Sequence, residues 1–151
     1  MTINYMHDAV QSIGRSVGVN DLTPNAAGAF ELVFFNQLSV YFQIVGETEI
    51  EVQIRLGDGE LRLTTDLMEA MLAANLGLRR GRLSLEPGMD RVVYCGRINT
   101  AHHDAASLTT AVMAIVREGL QLRLEGFDRL RAEVAVRKST ADVMSETLMR
   151  V

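Results

Sequence analysis

A chain of 151 residues, 48% hydrophobic and 23% charged, can bury one real core and has ordinary globular composition. A formal net charge of -4 and a pI near 5.4 argue against nucleic acid or an anionic membrane as a partner. The single Cys95 excludes an internal disulfide and, lying in an apolar run, reads as a buried structural thiol suited to a reducing cytosol. No apolar run reaches the ~18 residues of a membrane span, and Met1 to Asp8 lack a basic region followed by an apolar core, so no export or membrane insertion is expected.

Along the chain, Ile3, Met6, Val10, Ile13 and Val17 recur at spacings of three and four, predicting an amphipathic helix stopped at Gly18. The polar, proline-containing stretch from Asn20 to Asn25 is a connector. Period-two alternation then predicts strands over 29–35, 38–45 and 50–56. Their short links leave no room for a crossover helix, so they form an antiparallel meander with one fully apolar face. The opposite face is polar on the third strand but carries Val33, Phe35, Tyr41 and Val45 on the first two. A short strand extension is expected at 61–63.

From Asp66 to Gly77 the sequence predicts its clearest helix. Asp66 reads as the N-cap with Glu69 reaching back, and Gly77 as a left-handed stop. Leu67, Met68, Met71, Leu72 and Leu76 form an apolar stripe too wide for a short helix that covers only a sheet. Its surplus, beside small Ala73 and Ala74, suits a second copy of the same helix. Two further strands follow at 82–85 and 91–98, then a long helix from Asp104 or Ala105 past Leu124, in which Gly119 is either a weak point or a close packing contact. One domain over 1–127 and a helical continuation with a partly ordered tail over 128–151 complete the chain.

Chemistry is sparse. His102-His103-Asp104, with distant Cys95 or Ser107, resembles an active site only loosely; adjacent histidines diverge, no further His completes a zinc set, and Asp104 serves more simply as a helix cap. Gly57-Asp58-Gly59 lacks the remaining parts of a phosphate loop. The cluster Arg79, Arg80, Arg82 has no interleaved aromatics, which favours a solvated loop or acidic groups of a partner protein over nucleic acid. No catalytic, metal or cofactor site is expected.

The order helix, three strands, helix, two strands, long helix is carried by Leu67-Met68-Glu69-Ala70-Met71-Leu72-Ala73-Ala74-Asn75-Leu76, Gly81-Arg82-Leu83-Ser84-Leu85-Glu86-Pro87 and Asp90-Arg91-Val92-Val93-Tyr94, ending in the helix from Ala105. In this set the chain resembles the effector chaperones of bacterial type III secretion systems, the CesT and SycE-like family, over roughly Gly28 to Phe127. The resemblance implies an α+β fold in the order α-β-β-β-α-β-β-α, with an antiparallel sheet of about five strands. It also implies a cytoplasmic bacterial homodimer without enzymatic activity, which binds the N-terminal region of one or more secreted effectors as an extended chain and presents it to the secretion ATPase.

For the dimer, the expected residues are Met68, Met71, Leu72 and Leu76, with Leu83 from a strand. For effector binding they are Val33, Phe35 and Tyr41, with Met6, Val10 and Ile13 of the first helix, three residues that serve equally well as core. The alternatives are a small-ligand-binding or regulatory domain enclosing a pocket on the same sheet, and a small hydrolase using His102 or His103.

Overall fold

Side-chain alternation is realised in five strands: β1 (Phe30–Phe34), β2 (Leu38–Val45), β3 (Glu49–Arg55), β4 (Arg82–Leu85) and β5 (Val92–Asn99). They form one antiparallel sheet in the spatial order β1-β2-β3-β5-β4. The helices are α1 (Thr2–Ser16), α2 (Thr65–Gly77) and α3 (Ala105–Gln121), so the order is the expected α-β-β-β-α-β-β-α and the class α+β. This computed structural model describes residues 2–56, 64–86 and 91–126 and, beyond them, 132, 136, 139–141, 143–145, 147 and 148. The strand extension expected at 61–63 lies outside the described residues. Those described beyond 126 are helical and exposed.

Three local expectations are corrected by backbone geometry. The first strand ends at Phe34, because Phe35 and Asn36 adopt φ of 54° and 58° and make the reversed-hand turn that suits the twist of a hairpin. Phe35 therefore sits at the hairpin tip rather than in the sheet. Helix α2 is capped by Thr64, whose hydroxyl accepts the Leu67 N–H at 3.2 Å, and Asp66 lies in its first turn. Gly77 is the last helical residue; the glycines with positive φ among the described residues are Gly18, Gly28 and Gly46. Helix α3 ends at Gln121 and passes into a π-helical turn at Leu122–Gly126.

One sheet face builds the core. Val40 and Phe42 of β2, Ile50, Val52 and Ile54 of β3, and Tyr94 of β5 are fully buried there. Helix α3 packs on β3 and β5, and α1 packs on α3. Met6, Val10 and Ile13 are buried on the inward side of α1, and Met6 is fixed further by the Thr100 hydroxyl, 3.2 Å from its sulfur. The close approach of α3 requires glycine on both partners. A Cβ at Gly96 would lie 2.5 Å from Ile115, and one at Gly119 would lie 2.5 Å from Tyr94 and 2.6 Å from Ile54. Gly119 is thus a packing contact. Its replacement by alanine should destabilise the fold by about 1–3 kcal/mol through overpacking, seen as a lower urea midpoint with an unchanged slope.

Candidate protein-binding surfaces

Helix α2 lies along β4 at one end of the sheet. Its inward side, Leu67, Ala70, Met71 and Ala74, is buried, while Met68, Leu72 and Leu76 are 50%, 67% and 92% exposed. These three stand at successive steps of four residues and so form one outward ridge. Of the residues expected at a dimer contact, Met71 and Leu83 are buried within the chain itself, and the exposed apolar surface belongs to the other three.

Asn75 has a role that its sequence position alone does not show. Its side-chain carbonyl accepts the Leu83 N–H at 2.6 Å and its amide donates to the Leu83 carbonyl at 3.2 Å. The side chain thereby makes both hydrogen bonds that another strand would make to β4 at this point, and closes that edge there.

The opposite edge differs. The Ala29 carbonyl accepts the Asn25 N–H outside the sheet, and the Phe34 carbonyl accepts Gln37 on the β2 side. Because backbone direction alternates along a strand, Glu31 and Val33 turn their N–H and C=O groups away from β2; an antiparallel bridge between Pro24 and Phe30 covers the start of this outer edge, and among the described residues no strand pairs with it at Val33. Val33 is 57% and Phe35 72% exposed beside them. Tyr41, on the same outer face, is half-buried with the Arg55 guanidinium 5.4 Å from its ring centre. The sequence thus locates two exposed apolar residues at this edge, whereas Met6, Val10 and Ile13 spend their surface in the core.

The outer face of β3, β5 and β4 is polar. Arg97 pairs with Glu51 at 2.6 Å and Glu49 at 3.6 Å, and Arg55 with Glu86 at 3.1 Å. Cys95 lies half-buried on this face with Ser84 3.8 Å away, and burial pushes its thiol pKa up, so the reactive thiolate is disfavoured. A groove of about 890 Å³ runs over this face between Glu51 and the loop at Arg79–Gly81.

That loop is held by Glu118 of α3. Its carboxylate accepts the backbone N–H groups of Arg79, Arg80 and Gly81 at 3.0, 3.0 and 3.1 Å and the Tyr94 hydroxyl at 2.8 Å. Burial pushes the carboxyl upward, but the donors together outweigh it and hold Glu118 below the ordinary carboxylate range. Burial and the hydrogen bond to Glu118 drive the Tyr94 hydroxyl far up, so it remains a donor.

At the histidine loop, the Asp104 carboxylate accepts the Ser107 N–H at 2.8 Å and caps α3, while His103 Nδ1 lies 3.1 Å from Ser107 Oγ. Asp104 is held low by that backbone bond. The carboxylate is thus engaged with the serine backbone, and His102, Asp104 and Ser107 sit exposed at a helix start with His103 half-buried between them. Among the described residues no group of three or more His, Cys, Asp or Glu could hold a metal ion, and no helix is long and apolar enough to cross a membrane.

The fold has solved counterparts. SycH, a type III secretion chaperone of Yersinia pestis crystallised with a fragment of YscM2, superposes with a TM-score of 0.53 at 18% identity, over 76% of this chain and 97% of its own. This chain has the type III secretion chaperone fold. SchA, seen in a chaperone–effector complex with HopA1, matches with a TM-score of 0.58 at 12% identity, over 79% and 93% of the two chains. YbjN, a candidate transcription regulator from E. coli, shares the chaperone fold at a TM-score of 0.58 and 14% identity, over 78% and 88%. No family model and no curated protein matches the sequence.

In this chaperone fold the Glu118 clamp sets a pH dependence. With its folded pKa depressed, the clamp's stabilisation is fully present above the unfolded carboxylate pKa and is lost as pH falls through the folded value. Wild type should therefore exceed Glu118→Gln in stability at pH 7, and the gap should close progressively below about pH 4.5, measured by urea titration across pH 3 to 7.

Proposed function

We propose that the protein is a type III secretion chaperone that binds an N-terminal segment of one or more effectors and keeps it extended and unaggregated until hand-over to the secretion ATPase. The observation that carries this reading is the open end of the β1 edge beyond the Pro24–Phe30 bridge, flanked by exposed Val33 and Phe35, on a sheet of chaperone topology. An extended segment gains main-chain hydrogen bonds at such an edge and places alternate side chains against the apolar residues beside it. A segment that is disordered when free must offset its ordering cost with a large buried area, which favours wrapping over a single contact. The work is stoichiometric binding without catalysis.

The ridge on α2 supports a two-fold dimer. Met68, Leu72 and Leu76 are evenly spaced, so a two-fold axis at Leu72 sets Met68 of one protomer on Leu76 of its partner and Leu72 on its own copy. A self-complementary patch of this kind is what an isologous interface requires. Leu72→Asp should convert a dimer to folded monomers in light scattering; an unchanged dimer mass would remove the ridge from the interface.

The YbjN likeness favours one other reading, a regulatory domain, because the fold alone does not select function. Affinity capture from the native organism separates the two. The chaperone reading expects a secreted protein held through its N-terminal region by two copies of this chain. Phe35→Glu should reduce that capture at least tenfold with the far-UV spectrum unchanged. Recovery of the protein alone, or with a small molecule, would overturn the reading.

A further inference from the structure

The outer face of β3, β5 and β4, with the loop that enters β4, carries two kinds of arginine. Arg55 and Arg97 are neutralised by carboxylates on the same sheet or its flank. Arg79, Arg80 and Arg82 are exposed, line one end of the 890 Å³ groove, and form no ion pair among the described residues. A chain of net charge -4 gathers three cations within four positions here. Mutual repulsion makes that costly unless something compensates it.

The local backbone shows that this is a built platform. Glu118 fixes the N–H groups of residues 79 to 81 from below, which sets the bases of the Arg79 and Arg80 side chains and supplies one buried-side negative charge. Gly81 is required for this packing, since a Cβ there would lie 2.6 Å from both the Cys95 carbonyl and the Tyr94 ring. The next residue, Arg82, is already in β4, paired with Cys95. Beyond the cations, the groove lining mixes apolar side chains with the polar Gln53 and Ser84 and the half-buried Cys95, and its two carboxylates, Glu51 and Glu86, are already paired with Arg97 and Arg55.

We propose that this groove binds an acidic, extended polypeptide segment of the client, with its carboxylates on Arg79, Arg80 and Arg82. The inference deepens the proposed function and rests on that reading. Guanidinium groups hold carboxylates by paired, directional hydrogen bonds, and Gln53 and Ser84 offer hydrogen bonds to an extended main chain. Nucleic acid fits less well: no aromatic ring lies among the groove residues for bases to stack on, and the chain's overall charge opposes it. The groove is separate from the β1 edge, at the other end of the sheet order, so one client can occupy both.

The test uses three fluorescein-labelled probes: a twelve-residue peptide alternating Glu with Ser, its Gln counterpart, and a twelve-nucleotide oligothymidylate. Anisotropy is followed on the full chain at 50 and 300 mM salt. Two double variants change net charge equally, Arg79→Glu/Arg82→Glu at the groove and Arg15→Glu/Arg117→Glu away from it. The expected result is binding of the acidic peptide, at least tenfold weaker at the higher salt and at least tenfold weaker in the groove variant than in the distant one, with no binding of the Gln peptide. Equal loss in both variants, equal binding of the Gln peptide, or tighter binding of the oligonucleotide would overturn the proposal. Far-UV spectra and urea midpoints establish that both variants are folded; if the groove pair is not, Arg79→Gln/Arg82→Gln replaces it against Arg15→Gln/Arg117→Gln under the same criterion. Client capture distinguishes the two levels: a client retained equally by the groove variant and wild type removes the acidic-segment inference and leaves the chaperone reading standing.

Discussion

The carboxylate of Glu118 ties together three parts of the chain that no local preference would join. It comes from α3, it receives the hydroxyl of Tyr94 in the middle of β5, and it gathers three consecutive amides from the turn between α2 and β4. Tyr94 can reach it because both neighbours are glycines, Gly119 on the helix and Gly81 at the strand entry, each too close to its ring for a Cβ. Without this clamp the position of α2 relative to the sheet would rest on apolar contacts and the Asn75 bonds to Leu83. With it, the exposed ridge of α2 and the arginine platform are oriented by the same group.

This dependence divides the molecule into a core side and a presenting side. Helices α1 and α3 and the inner sheet face are dense and apolar. The presenting side offers a partly open backbone edge at β1, an apolar ridge at α2 and a charged groove over β4 and β5, each suited to a different kind of contact. None resembles the enclosed, convergent pocket that small-molecule chemistry uses. The histidine loop follows the same logic, since its aspartate is engaged in starting α3.

What was legible in the sequence was periodicity. Alternation in β2, β3 and β5 and the helical spacing in α1 and α3 carry the fold class and the antiparallel neighbours within each hairpin, because each depends on which face a residue buries; the pairing of β3 with β5 that joins them into one sheet has no such local mark. Boundaries were read less well where one side chain decides them. Thr64 rather than Asp66 caps α2, a choice between two adjacent good caps made by the entering backbone; Phe35 leaves β1 because the hairpin requires positive φ. Burial at the α2 ridge separated what spacing could not: Met71 and Leu72 are consecutive and equally apolar, yet one is inward and the other outward. The contacts of Glu118 and Asn75 were not legible, since both join side-chain polar atoms to backbone groups outside their own helix, which leaves no periodic mark in the sequence.

Asn75 carries a last consequence. A five-stranded sheet with two free edges can join its copies end to end, each β4 receiving the next β1, and such ribbons grow without limit. The asparagine side chain occupies the Leu83 backbone at one end, so the sheet is directional with respect to growth: a strand can be added at β1, but the register needed to pass it on from β4 is already taken. In the proposed role, a surface receptive to sticky segments at one end is thereby closed to the same backbone chemistry at the other.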